Sequence, residues 1–143
     1  MTAHMNYNRS ETEITQLING NIDPRRDWIE AVQVTHIPYQ RSADQYFLLV
    51  NVNVKTAADD RDSLLTRSLA VAQAIIRSTL LSDEKAVEVS VWVDVSPPKN
   101  PRRAFRLSIL EAAYPKALQI KAADLKEKEH PGIVCQWPLQ PAQ

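Results

Sequence analysis

Glycine is nearly missing from this chain. Gly20 and Gly132 stand alone among 143 residues. Loops that cradle phosphate need several glycines so that the backbone can approach the ligand. No P-loop, dinucleotide fingerprint or G-x-S-x-G elbow can be written from this sequence, which argues against the common nucleotide-binding and hydrolase architectures. Cysteine is as scarce. The single Cys135 rules out an internal disulfide and a Cys-rich metal site, and a lone thiol suits a reducing compartment. No run nears the ~18 apolar residues of a membrane helix. The N-terminal MTAHMNYNRSETEITQ is polar and lacks the apolar region of a signal peptide. A cytoplasmic protein without membrane association is the expectation. Net charge is absent too, with 17 basic and 17 acidic residues. Attraction to nucleic acid or to a membrane must then come from a local patch.

What is present is an ordinary globular composition, 44% hydrophobic and 24% charged. The length fits one domain. A domain of this size buries roughly 68–70% of its unfolded surface and needs no disulfide or metal to fold. Residues 1–9 read as a loose tail, 10–129 as a single domain, and 130–143, with three prolines after His130, as a Pro-rich tail.

The stretch SETEITQLING predicts a short helix. Ser10 and Glu13 have capping-box spacing, Ile14, Leu17 and Ile18 make one stripe, and Gly20 supplies a stop. WIEAVQVTHIPY reads as a strand that Pro38 ends or places on an edge. In QYFLLVNVNVKT, Val50, Val52 and Val54 alternate with Asn51 and Asn53, the pattern of an antiparallel strand wet on one side. The main helix follows, capped by Asp59 or Asp60. Its apolar positions, including Leu65, Leu69, Ala72, Ile76 and Leu80, span about half the circumference, more than the ~100° that covering a sheet requires. KAVEVSVWVDV places Val87, Val89, Val91, Val93 and Val95 opposite Glu88, Ser90, Trp92 and Asp94. AFRLSIL alternates likewise, and SPPKNPRR joins the two. Residues 114–129 suggest a helix broken near Pro115. The expected fold is α+β: a four-stranded, mostly antiparallel sheet covered on one face by the long central helix. The order is α-β-β-α-β-β, with a C-terminal helix as an addition.

Three features are candidates for function. The first is the basic hairpin, with Lys99, Arg102, Arg103 and Arg106 at or near its turn and Trp92 on the outer face beside Arg106. Lys and Arg neutralise phosphates, and an aromatic beside arginine can stack a base. Against this, turn tips are ordinarily polar, Trp92 and Arg106 can form a structural cation–π pair, and a nucleic-acid reader is usually basic overall. Arg25 and Arg26 form a second basic pair that reads as turn residues. The second feature is the overwide helix arc, where Ala70 and Ala74 on the far side allow close approach of a partner element. The alternative is that the terminal helices complete the cover. The third is H-x4-C, His130 and Cys135, too sparse for zinc and without an orienting group for a nucleophile pair. His36 reads as a hydrogen-bonded surface or rim group. Glu88 and Asp94 share a strand face about 20 Å apart, too far for paired acid–base work. Asp59, Asp60 and Asp62 are explained by capping.

The element order is similar to that of small secretion-chaperone and roadblock-type domains, which act by binding other proteins. The likeness rests on order and on no motif. The expectation is a non-enzymatic protein-interaction or assembly domain, self-associating as a homodimer or bound to a protein partner. It has no catalytic, cofactor or metal residues assigned. A nucleic-acid or anion-binding module using loop 96–106 is the alternative, and a small enzyme with a dispersed site the remote one.

Overall fold

The computed structural model describes residues 10–38, 45–55, 60–81, 86–96, 104–127 and 130–136. Helix α1 spans Glu11–Asn21 and opens on the expected capping box. The Glu13 amide donates to Ser10 Oγ at 3.1 Å, and the Ser10 amide donates back to Glu13 Oε1 at 3.3 Å. The helix runs one residue past Gly20, and the Ile22 amide closes it on the Ile18 carbonyl at 3.0 Å. Strands β1 (Ile29–Pro38) and β2 (Tyr46–Lys55) follow, then α2 (Arg61–Leu81), β3 (Ala86–Ser96) and β4 (Ala104–Leu110). A 3-10 turn at Glu111–Ala113 leads into short helices α3 (Tyr114–Ala117) and α4 (Ala122–Glu127), and β5 (Ile133–Gln136) closes the described chain. Asp60 starts α2, accepting the Ser63 amide at 2.9 Å and its hydroxyl at 2.6 Å. Pro115 sits in the first turn of α3, where its missing N–H costs nothing, and so begins a helix where a break was expected.

The α+β class holds, but the sheet has five strands in the order β1-β2-β3-β4-β5, and its central pair is parallel. The other three pairs are antiparallel. A helix of 21 residues lies between β2 and β3. It is about 30 Å long, enough to return the chain to the end of the sheet where β2 began, so the two strands run the same way. Alternation in the sequence reports that one face is wet. It carries no information on strand direction.

The fifth strand lies within the segment read as a tail. Gly132, at φ 80, makes the turn that brings Ile133 against Ile109. The Leu110 amide then donates to the Gly132 carbonyl at 2.8 Å.

The described helices lie on one side of the sheet. Leu48, Val50, Val52 and Val54 on β2, Val89, Val91, Val93 and Val95 on β3, and Phe105, Leu107 and Ile109 on β4 are buried beneath α2. The wide arc of α2 is filled from both flanks. Ile14 and Ile18 of α1 close the β1 side, and Tyr114, Ala117 and Ile120 close the other. Gln73 Nε2 fastens that second flank, donating to the carbonyls of Ala117 (3.0 Å) and Ile120 (3.1 Å). Tyr114 adds a bond from its hydroxyl to the Ala86 carbonyl at 2.6 Å. One valine departs from the expected core. Tyr46 pairs with Ala86 and Phe47 with Glu88, so Val87 is the extra residue of a bulge. Ala86 takes the buried position and Val87 is half-buried.

Candidate functional site: the open face of the sheet

No described element covers the second face of the sheet. Pairing registers arrange its side chains in rows across the strands. Ile37, Phe47, Glu88 and Leu110 form the first row, and Thr35, Leu49, Ser90, Ser108 and Val134 the second. Gln33, Asn51, Trp92, Arg106 and Gln136 form the third, and Ala31, Asn53 and Asp94 lie beyond it. The face is therefore divided along the strand direction. One end is apolar apart from Glu88 and the hydroxyls, and the other is polar around a single tryptophan. The large apolar side chains exposed among the described residues are Ile37 (40%), Leu110 (49%) and Val134 (53%). All three lie at the apolar end of this face.

A polar cluster holds the middle. The hydroxyls of Ser90 and Ser108 lie 3.0 Å apart across β3 and β4. Arg106 Nε donates to Ser108 Oγ at 3.0 Å and to Ser90 Oγ at 3.3 Å. Trp92 Nε1 donates to Ser90 Oγ at 3.1 Å, and the Arg106 guanidinium stands 4.9 Å from the Trp92 ring centroid. Both long side chains are thus laid flat on the sheet. The terminal nitrogens of Arg106 meet no acceptor among the described residues. A shallow groove of about 220 Å³ runs between the two halves, walled by Ile37, Phe47, Leu49, Glu88, Trp92 and Arg106.

The edges of the sheet are blunted. β1 carries a bulge at Glu30, between Ile29 and Ala31, and ends on Pro38. Near that end the Glu11 carboxylate reaches over from α1 and accepts the His36 amide at 3.0 Å. β5 is only four residues long. Bulges, prolines, charges and short strands are the usual means of preventing strand addition. His36, expected as a hydrogen-bonded surface or rim group, is hydrogen-bonded but turns its ring toward the helix side. Its Nδ1 lies 3.3 Å from Glu11 Oε1 and its ring meets Tyr46 edge-on at 5.0 Å.

Of the four cations of the basic hairpin, Arg106 is among the described residues. Lys99, Arg102 and Arg103 lie outside the described residues. The pairing of Trp92 with Arg106 is the structural cation–π contact, and the carboxylates of Glu88 and Asp94 share its face. Ala70 is exposed and Ala74 half-buried on α2. The arc that pointed to an interface there is filled by α1 and by residues 114–120. Arg25 and Arg26 flank a loop organised by Asp23, which is 3% exposed. Asp23 accepts the amides of Asp27 (2.9 Å), Trp28 (3.0 Å) and Ile29 (2.7 Å). Burial alone would raise its carboxyl. The three amides and the nearby Lys55 outweigh that and hold it below the ordinary 3.8. Lys55 Nζ in turn donates to the Arg26 carbonyl at 2.6 Å, and Arg67 stacks 4.8 Å over Trp28. This corner is a loop clamp. Cys135 faces the core side opposite Leu107, and His130 lies in the preceding turn. Among the described residues no group of three His, Cys, Asp or Glu could hold a metal ion, and no helix is long and apolar enough to cross a membrane.

The apolar residues of the open face were not singled out from the sequence. Their signal was the run Tyr46–Val50, where Phe47 and Leu49 occupy the positions that Asn51 and Asn53 take further along. No protein-family model matches the chain, and comparison with curated proteins and with solved structures finds no match either.

Proposed function

We propose that this chain is a non-enzymatic protein-interaction or assembly domain that works through the open face of its sheet. One observation carries the reading: Ile37, Leu110 and Val134 are exposed together at one end of one face. Keeping them in water forgoes roughly 25 cal/mol for each Å² that burial would remove. Contiguous exposed apolar surface rimmed by polar groups marks interaction sites. Trp92 and Arg106, at the border of the patch, are residue types enriched where binding energy concentrates. They are already held in place by Ser90 and Ser108, so little side-chain freedom remains to be lost on binding. The setting proposed is the cytoplasm, where Cys135 stays reduced.

The test is a double variant, Leu110→Lys with Val134→Lys. Both side chains are half exposed, so the fold tolerates the charges. Immobilised wild-type protein is expected to retain a protein partner or itself, and the purified partner to bind directly. The double variant is expected to lose that binding. Unchanged binding by the double variant, or a wild-type chain that stays monomeric and binds no protein, overturns the reading.

A further inference from the structure

The geometry points to the occupant of the open face: a second copy of this chain, docked face to face around a two-fold axis that runs along β3. The inference rests on the reading of that face as an interaction surface. It adds the identity of the partner and the orientation of the pair.

β3 is the middle strand of five. Rotation about an axis along it exchanges β1 with β5 and β2 with β4 while keeping each row at its own level. The sheet face is thereby laid on itself, with β4 and β5 shorter than the strands they meet. Ile37 of one copy falls toward the Val134 side of the other, Phe47 meets Leu110, and Leu49 meets Ser108. Apolar end falls on apolar end. An axis across the strands does the opposite. It sets Leu110 and Phe47 against the level of Arg106 and Asn51, so the exposed apolar groups are buried against polar ones. Two sheets packed this way lie about 10 Å apart, the ordinary sandwich spacing.

Size and net charge suit a weak pairing. The strands run from four to eleven residues, and each exchanged pair overlaps only over its shorter member. At ~3.3 Å per residue and ~4.8 Å between strands the overlap is roughly 500 Å², the size of a transient interface and below the ~800 Å² per partner of a standard one. The chain carries as many acids as bases, so two copies do not repel at long range. Under the same rotation Arg106 comes level with Asn51 of the second copy, whose amide oxygen can accept from the guanidinium nitrogens left without a described partner. Edge pairing, the other common route to a dimer of sheets, is obstructed by the Glu30 bulge, Pro38 and the Glu11 carboxylate. Two groups oppose the arrangement. Glu88 and Asp94 both sit on this face of the axis strand, so the two copies bring like charges together at two levels. The pair is therefore weak enough to be reversible.

Sedimentation velocity over a micromolar-to-millimolar concentration series tests this on the full chain. The weight-average mass is expected to rise from 16.2 kDa toward twice that value. Val134→Lys, with an unchanged circular dichroism spectrum, is expected to weaken the dimer at least about tenfold through an uncompensated buried charge, and Leu110→Lys, whose ammonium lies beside Glu88, to weaken it by a smaller factor. Glu88→Gln is expected to tighten it by roughly fivefold by removing the like-charge contact. A mass that stays monomeric throughout overturns the inference. If in that case a different protein binds and Leu110→Lys abolishes the binding, the interaction reading survives and only the partner falls. A dimer indifferent to both lysine variants overturns the choice of face. A dimer weakened by Glu88→Gln overturns the axis along β3, because the crossed arrangement sets Glu88 at the level of Arg106.

Discussion

Arg106 serves two masters on the open face: its guanidinium covers the Trp92 ring at 4.9 Å while its Nε holds both Ser90 and Ser108. The contact couples β3 to β4 on the side of the sheet that no described helix braces. Lysine keeps the charge but has no Nε–H aimed sideways and no flat group to stack. Arg106→Lys is expected to lose about 1 kcal/mol in urea denaturation. A double-mutant cycle with Trp92→Leu should give a coupling of about 0.5–1 kcal/mol, the value for a partly exposed cation–π pair. A coupling indistinguishable from zero would show that the two side chains merely lie near each other.

The Asp23 clamp predicts a signature in acid. Its carboxyl is held below the ordinary 3.8 by three amides and Lys55, so the folded chain binds fewer protons there than the unfolded chain. The stabilisation is complete above 3.8 and fades as pH falls through the folded value. Asp23→Asn keeps one acceptor oxygen for three amides and gives up the charge. At neutral pH the variant is expected to be about 1–3 kcal/mol less stable. The gap to wild type should close as both are titrated below 3.8. A gap independent of pH would mean that the charge contributes nothing and only hydrogen-bond geometry matters.

The two glycines predict opposite responses to alanine. Gly132 sits at φ 80, and a Cβ there would come within 2.9 Å of the Ala113 Cβ. Strain and collision together should cost Gly132→Ala about 1–3 kcal/mol and loosen β5, read as faster hydrogen exchange at the Leu110 amide. Gly20 lies near the end of α1 with nothing within 4 Å of a Cβ. Gly20→Ala should gain about 0.4–1 kcal/mol. Equal effects at the two sites would contradict the backbone argument.

The elements were legible where local chemistry is explicit. The Ser10–Glu13 box, the Asp60 cap and the alternating valines each announce a helix start or a half-buried strand, and each forms as read apart from Val87, which the bulge turns out of the core. What failed to show was relational. The direction of β3 against β2 depends on where α2 returns the chain. The fifth strand depends on Gly132 folding Ile133 onto Ile109, a pairing that four residues between prolines do not advertise. The site was half legible for the same reason. Trp92 stood out because a tryptophan on a wet face is odd. Ile37, Leu110 and Val134 look ordinary one at a time, and become a patch only when pairing sets them at one end of one face.

One of two readings of the sequence put an interface on the far side of α2, at Ala70 and Ala74, the other being cover by the terminal helices, and the proposed function uses the sheet face instead. That shift is itself testable. The arc of α2 seemed too wide for one sheet, but Ile14 and Ile18 of α1 occupy one flank, and Tyr114, Ala117 and Ile120 occupy the other. Ala70 is left exposed on the helix surface between Arg67 and Arg77. Ala70→Arg places a large cation there without entering the core. Its effect on folding stability should stay within about 0.5 kcal/mol, as for surface substitutions away from special features. Its sedimentation profile should overlay that of the wild type at every concentration. A dimer lost on Ala70→Arg and kept on Leu110→Lys would return the interface to the helix side. The open sheet face would then be a wet surface that tolerates three exposed apolar side chains.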